Sequence, residues 1–164
     1  MKIRRLLLLL AALALLPIGC GTPKPKPRAW NVSISKQTPA SIEVDLIGIT
    51  EMERPAWEGY DIDKYWKSGD LRRANADKLS VNLPTGTPWT VSREDPKWQN
   101  WMRRGATELL LIANLPGHFA PGSSDPRRVF IPLDKNAWKA KDKTLQIDVQ
   151  DDSVRMMTPP RLHK

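Results

Sequence analysis

The chain is poor in the side chains that most often do chemistry. Its 164 residues include one cysteine, Cys20, and two histidines, His118 and His163. A lone cysteine excludes an intramolecular disulfide, so the fold must be held by apolar burial. Two histidines with no His-x-x-x-His spacing and no acidic cluster of ligand geometry give no metal site, and no cofactor is expected. Long apolar runs are lacking too: residues 6–16 are the longest, about half of what a membrane-spanning helix needs, and Pro17 follows them. No internal repeat of 20 to 50 residues is present.

What the chain does have is a strongly marked N-terminus. Met1-Lys2-Ile3-Arg4-Arg5 is basic, residues 6–16 are apolar, and Ile18-Gly19 precede Cys20. A basic head, a short apolar core and small residues before a cut are the parts of an export signal, expected over residues 1–19. The segment resembles the lipobox of bacterial lipoproteins, in which the cysteine is acylated and becomes the new N-terminus. Pro17 departs from the aliphatic residue usual at that position. The alternative is an ordinary cleaved signal with a cut near Thr22. The resemblance implies lipidation at Cys20 and a lipid bilayer as one partner. Gly21 after the cysteine, where sorting signals for the inner membrane carry Asp, implies the outer membrane, facing the periplasm. Thr22-Pro23-Lys24-Pro25-Lys26-Pro27-Arg28 alternates proline and favours an extended, semi-rigid spacer. Residues 20–28 are therefore expected as anchor and spacer, and 29–164 as a single domain.

The formal charge of +8 is partly a property of the signal. Without Lys2, Arg4 and Arg5 it falls to +5, with both signs interspersed, which is an ordinary surface and not a nucleic-acid-binding one. Seven tryptophans supply the large apolar surfaces a disulfide-free core needs.

Alternation with a period of two predicts strands at 30–35, 42–46, 79–83 and 145–149, with 154–156 folding back on the last as a hairpin. Residues 109–113 are apolar throughout, which predicts a central strand covered on both faces. Residues 129–131 predict another short strand. A helix is predicted after Ser92, with Trp98, Trp101 and Met102 on one face and Gly105 as its stop. A second, capped by Asp61, places Ile62, Tyr65 and Trp66 together, ends at Gly69 and restarts at Asp70. The fold expected is mostly β, a β-sandwich of about seven strands with two short helical insertions.

Three groups of residues bear on function. The aromatic set Trp57, Tyr60, Tyr65 and Trp66 is denser than a connection needs and is a candidate partner surface, although Tyr65 and Trp66 share the apolar helical face of Ile62. The loop 116–126 brings His118, Ser123, Ser124 and Asp125 close in sequence, the parts of a hydrolytic triad, but no nucleophile elbow surrounds either serine. Residues 43–63 hold seven carboxylates, from Glu43 and Asp45 to Asp63, against one base, Arg54, which reads as a solvated face. Lys135, Lys139, Lys141 and Lys143, with Arg127 and Arg128, form a basic counterpart that reads as solvated surface, with contact to anionic headgroups near the anchor as the alternative.

A small exported lipoprotein with a proline-rich spacer and a β-sandwich is similar in layout to the outer-membrane lipoprotein of type VI secretion systems, which holds an inner-membrane partner from the periplasmic side. The resemblance rests on length, lipobox, the strand around 109–115 and the hairpin 145–156. It implies a non-enzymatic, membrane-anchored binding or scaffolding module with an envelope protein as partner. A periplasmic hydrolase or solute-binding module working through the loop 116–126 is the alternative.

Overall fold

The computed structural model describes residues 26–117, 119 and 125–161. Cys20, His118, Ser123, Ser124 and His163 lie outside the described residues. Eight strands form two four-stranded sheets packed as a sandwich, with short helices in the connections. The strands are β1 (Asn31–Lys36), β2 (Glu43–Ile49), β3 (Lys78–Asn82), β4 (Trp89–Val91), β5 (Glu108–Ala113), β6 (Arg128–Pro132), β7 (Thr144–Val149) and β8 (Val154–Met156). Sheet A has the order β4-β1-β7-β8 and sheet B the order β3-β2-β5-β6. All neighbours are antiparallel except β1 and β7, which run parallel from Asn31 opposite Thr144 to Lys36 opposite Val149.

The two sheets solve different burial problems. Sheet A alternates strictly: Val32, Ile34, Leu145, Ile147 and Val149 point inward and are buried, while Asn31, Ser33, Ser35 and Gln146 point out. Sheet B is apolar on both faces. Leu109, Leu111 and Ala113 of β5 join the main core between the sheets, whereas Leu110 and Ile112 face the other way, with Ile47 and Ile49 of β2, into a second apolar cluster. A two-faced strand needs a second cover, which explains the unbroken apolar run at 109–113.

The short strand β4 was not expected. Three residues are too few to show alternation, and its place is set by pairing with β1, Val32 opposite Val91 and Ile34 opposite Trp89. The turn before it contains Gly86 at φ +76°, a left-handed conformation that favours glycine. Four short α-helices occur among the described residues, three in the connection from β2 to β3, α1 (Arg54–Glu58), α2 (Ile62–Tyr65) and α3 (Leu71–Asn75), and one between β4 and β5, α4 (Pro96–Arg103).

Helix α4 starts later than the sequence suggests. Its N-cap is Asp95, whose carboxylate accepts from Lys97 N–H at 2.8 Å, and Pro96 fixes the first turn. Ser92 lies outside it, and its carbonyl accepts from the Trp98 indole at 3.1 Å. Trp98 and Trp101, three residues apart, meet edge to face at 5.2 Å and are buried in the main core. Trp101 packs directly on the backbone of Gly48, and its indole N–H donates to Asp77 O at 2.8 Å.

The chain enters the sandwich beside the end of β6. Pro27 bridges Asp134, Arg28 N–H donates to Leu133 O at 3.0 Å, and Lys135 N–H donates to Lys26 O at 3.1 Å. Of the spacer expected over 22–28, residues 26–28 are thus attached to the fold.

Candidate functional site

The connection from β2 to β3, residues 50–77, forms a helical cap over the outer face of sheet B. Ile47, Ile49, Leu110 and Ile112 require cover there, and Trp57, Ile62 and Tyr65 supply it. The local sequence builds the cap turn by turn. Thr50 and Glu53 form a reciprocal pair, Thr50 N–H donating to the Glu53 carboxylate at 2.8 Å and Glu53 N–H to Thr50 Oγ1 at 3.3 Å, and Pro55 occupies the first turn of α1. Asp61 accepts from the N–H groups of Asp63 and Lys64 at the start of α2, as the sequence predicts. Asp70 does the same for Arg73 at the start of α3 and also accepts from Tyr60 Oη.

A buried carboxylate ties the cap to the sheet. Asp45 is fully buried on the outer face of β2. One of its oxygens accepts from Tyr65 Oη at 2.8 Å and from Arg73 Nε at 2.9 Å; the other accepts from Ser80 Oγ on the paired strand β3. Arg73 also pairs with Glu43 and stacks over Trp66 at 4.2 Å. Burial, reinforced by the Asp45 charge, pushes the Tyr65 hydroxyl well above the usual tyrosine range, so it stays a donor. The acidic stretch 43–63 is therefore not simply a solvated face: Glu43 and Asp45 are held by Arg73, and Asp63 by Arg127.

Two arginines expected on the surface are buried and structural. Arg127 chelates both oxygens of Asp125, at 3.0 and 2.7 Å, and reaches across to Asp63 on α2. Arg128 donates to the carbonyls of Trp57 at 2.6 Å and Tyr60 at 2.8 Å, and to that of Glu58, capping the C-terminal end of α1. Burial lowers the Arg128 guanidinium from its ordinary range, against the pull of Asp125 and Glu58. Asp125 is only two residues from Arg127, but Asp63 lies 64 residues away and the three acceptors of Arg128 lie 68 to 71 residues away, so the spacing of the two arginines alone suggests a basic face.

The cap leaves a groove of about 360 Å³ between α1, α3 and β2. Ile49, Ala56 and Trp57 contribute to its apolar lining, Leu71 lines it while remaining 75 % exposed, and Arg72 and Arg104 bring charge. Arg72 stacks over Tyr60 at 4.5 Å and Trp57 at 4.8 Å and donates to Ala56 O at 2.8 Å, so its guanidinium is fixed in place. Met52, one residue before Glu53 of the groove lining, is 92 % exposed. An apolar recess with a few fixed charges and exposed large side chains is suited to holding another surface.

The four aromatic candidates divide two and two. Trp57 and Tyr65 are buried in the second apolar cluster; Tyr60 and Trp66 pack against it and keep part of their surface accessible. Of the triad candidates, only Asp125 is described, and both its oxygens are taken by Arg127. Among the described residues no group of three His, Cys, Asp or Glu side chains could hold a metal ion. No described helix is long and apolar enough to cross a membrane.

The class defined by these features is a two-sheet β-sandwich with a helical cap on one sheet. No family model and no curated protein matches the chain. Solved structures with this fold do. One, a structure of the C-terminal domain of the type VI secretion protein TssM from EAEC, superposes with a TM-score of 0.53 at 13% identity, covering 78% of this chain and 99% of that one. Another, the type VI secretion lipoprotein TssJ1 from Pseudomonas aeruginosa, superposes with a TM-score of 0.51 at 10% identity, covering 84% and 100%. At these identities the likeness is one of fold.

Proposed function

We propose that this chain is a lipid-anchored, non-enzymatic binding module of the bacterial cell envelope, associated with a secretion system, that holds a protein partner on the helical cap of sheet B. In this reading residues 1–19 are removed, Cys20 is acylated in the outer membrane, and the single domain over 29–164 faces the periplasm. The observation that carries the partner surface is the groove beside Trp57 with Leu71 75 % exposed at its edge. An isolated leucine of such exposure is ordinary, but one lining a recess beside a fixed guanidinium is the arrangement of an anchor position at an interface. Tyr60 and Trp66 would meet the partner, while Trp57 and Tyr65 support them from within. The lipobox-like segment and a sandwich fold shared with a type VI secretion lipoprotein support the same reading.

The test is photocrosslinking in intact cells from a reactive side chain at position 71, with position 152 on the β7–β8 turn as control. One dominant envelope protein is expected from position 71 and not from 152, and Leu71→Asp should abolish its recovery without lowering stability. The same abundant proteins from both positions would count against the cap as partner surface. The anchor is checked separately: Cys20→Ser should leave the membrane fraction and fail to incorporate labelled palmitate.

A further inference from the structure

The strand pairings decide which loops share an end of the sandwich. β1 and β7 both start at one end, at Asn31 and Thr144, and β8 returns to it, with Met157 N–H donating to Gln146 O at 2.9 Å. Sheet B is tied to this end through Leu133, whose carbonyl accepts from Arg28 N–H at 3.0 Å and from the Trp30 indole at 3.3 Å. The chain therefore enters the domain, at Lys26, on the end crossed by the connection from β6 to β7. That connection carries Lys135, Lys139, Lys141 and Lys143, all exposed. Exposed Lys26 and Arg161 lie beside it, Lys26 O accepting from Lys135 N–H and Arg161 N–H donating to Ala137 O at 2.8 Å.

Carboxylates from other elements lie at this end too, Glu94 in a recess with Asp142 and Lys143, and Glu51 and Glu108 in one with Asp134, but Glu94 is paired with Arg93 and Glu108 with Arg54. Among the described residues none of the four lysines is in an ion pair. The two carboxylates of the connection are Asp134, which accepts from Asn136 N–H at 2.9 Å, and Asp142. Met157 adds an apolar side chain 57 % exposed at the same end. The far end carries Asp151 and Asp152 on the β7–β8 turn, with Lys36 at the end of β1.

We infer that this basic end is a docking surface for an anionic phospholipid bilayer, the same membrane that holds the anchor; the inference rests on the lipid-anchored reading. Five residues separate Cys20 from Lys26, so Lys26, with Lys135 hydrogen-bonded to it, can lie no more than about 20 Å along the chain from the acyl chains. Excursions bring them within the roughly 8–10 Å over which surface charge is felt. Each cation near an anionic surface adds to the attraction, so four to six of them fix the orientation of a domain on a short tether. The helical cap on sheet B then stands beside the bilayer, with its groove open sideways to the periplasm.

The experiment uses the full acylated chain, reconstituted into vesicles of phosphatidylcholine alone or with an equal part of phosphatidylglycerol, and carrying a fluorescent amino acid at position 157 or, as control, 152. Quenching by a headgroup-attached quencher should rise about threefold or more at 157 when phosphatidylglycerol is present. It should return to the neutral-lipid level in molar salt and in the Lys141→Glu, Lys143→Glu double variant, and position 152 should not respond. Equal quenching at 157 and 152, or no dependence on phosphatidylglycerol, would overturn the inference. If the chain washes off neutral vesicles in molar salt, the anchor reading fails instead, and the phosphatidylglycerol arm still decides the lipid contact.

Discussion

Trp101 lies flat against the backbone of Gly48, so closely that a Cβ at position 48 would sit 2.3 Å from the Trp101 Cγ and 2.6 Å from its Cδ1. Glycine is required there by close approach, and the neighbour is a rigid ring held by its own hydrogen bond to Asp77 O. Gly48→Ala should therefore cost about 2–3 kcal/mol, the upper range for overpacking a core. The measurement is the urea unfolding midpoint; a midpoint unchanged from the wild type would show that the ring moves freely.

Tyr65 and Asp45 give a second prediction. Tyr65→Phe removes one donor from a buried carboxylate that keeps Arg73 and Ser80, and a loss of about 1–2 kcal/mol is expected. Asp45→Ala strands a buried tyrosine hydroxyl and part of a guanidinium at once, and about 3–5 kcal/mol is expected. Chemical unfolding of the two single variants and the double variant should show strong non-additivity, because all the losses pass through one carboxylate. Additive losses would separate the two residues.

Arg128 reaches three carbonyls at the end of α1, and no neutral side chain of its length can do so. Arg128→Met should leave the sheets folded but free α1, seen as faster amide exchange or proteolysis within residues 54–60. Exchange that rises uniformly across the domain would instead make Arg128 a global core residue.

Glu108 predicts a pH dependence. Burial raises its carboxyl above the ordinary glutamate value, opposed by Arg54 and reinforced by Glu58 and Glu51. A group that holds its proton more tightly in the fold adds stability below its unfolded value and loses that contribution as pH rises through the folded value. Glu108→Gln removes this loss. The variant should melt above the wild type at neutral pH, and the difference should vanish on acidification; a gap that widens in acid would reverse the sign of the argument.

All seven strand signals in the sequence correspond to strands, for a physical reason that differs between the sheets. In sheet A only one face meets the core, so Val32, Ile34, Leu145 and Ile147 alternate visibly with polar residues; in β5 both faces are covered, and alternation gives way to an apolar run. The helices were less legible. The Thr50-x-x-Glu53 pair and Pro55 mark the start of α1, but five residues leave no periodicity to support the mark. Ser92 lost the cap of α4 to Asp95, because Pro96 favours starting the helix immediately after it. The site was legible only in its aromatic density. Which of Trp57, Tyr60, Tyr65 and Trp66 remain accessible depends on Asp45, Arg73 and Arg128. Asp45 meets Tyr65 across 20 residues and Arg73 across 28, and Arg128 meets Tyr60 across 68. Separations of that kind exist only once the chain has folded.

The parallel pairing of β1 with β7 sets an order of assembly. Sheet B is complete within residues 43–132, but β1, with β4 on one side, waits for its other neighbour more than a hundred residues further along the chain. A chain emerging N-terminus first can pair β2, β3, β5 and β6 while sheet A is still open, leaving Leu109, Leu111 and Ile131 uncovered. Long-range closure of this kind is slow, and the open intermediate exposes both apolar surface and strand edges. The last strands to appear, β7 and β8, are thus the latch of the domain. A chain cut short after Leu133 would present its inner face as a target for holding chaperones and proteases.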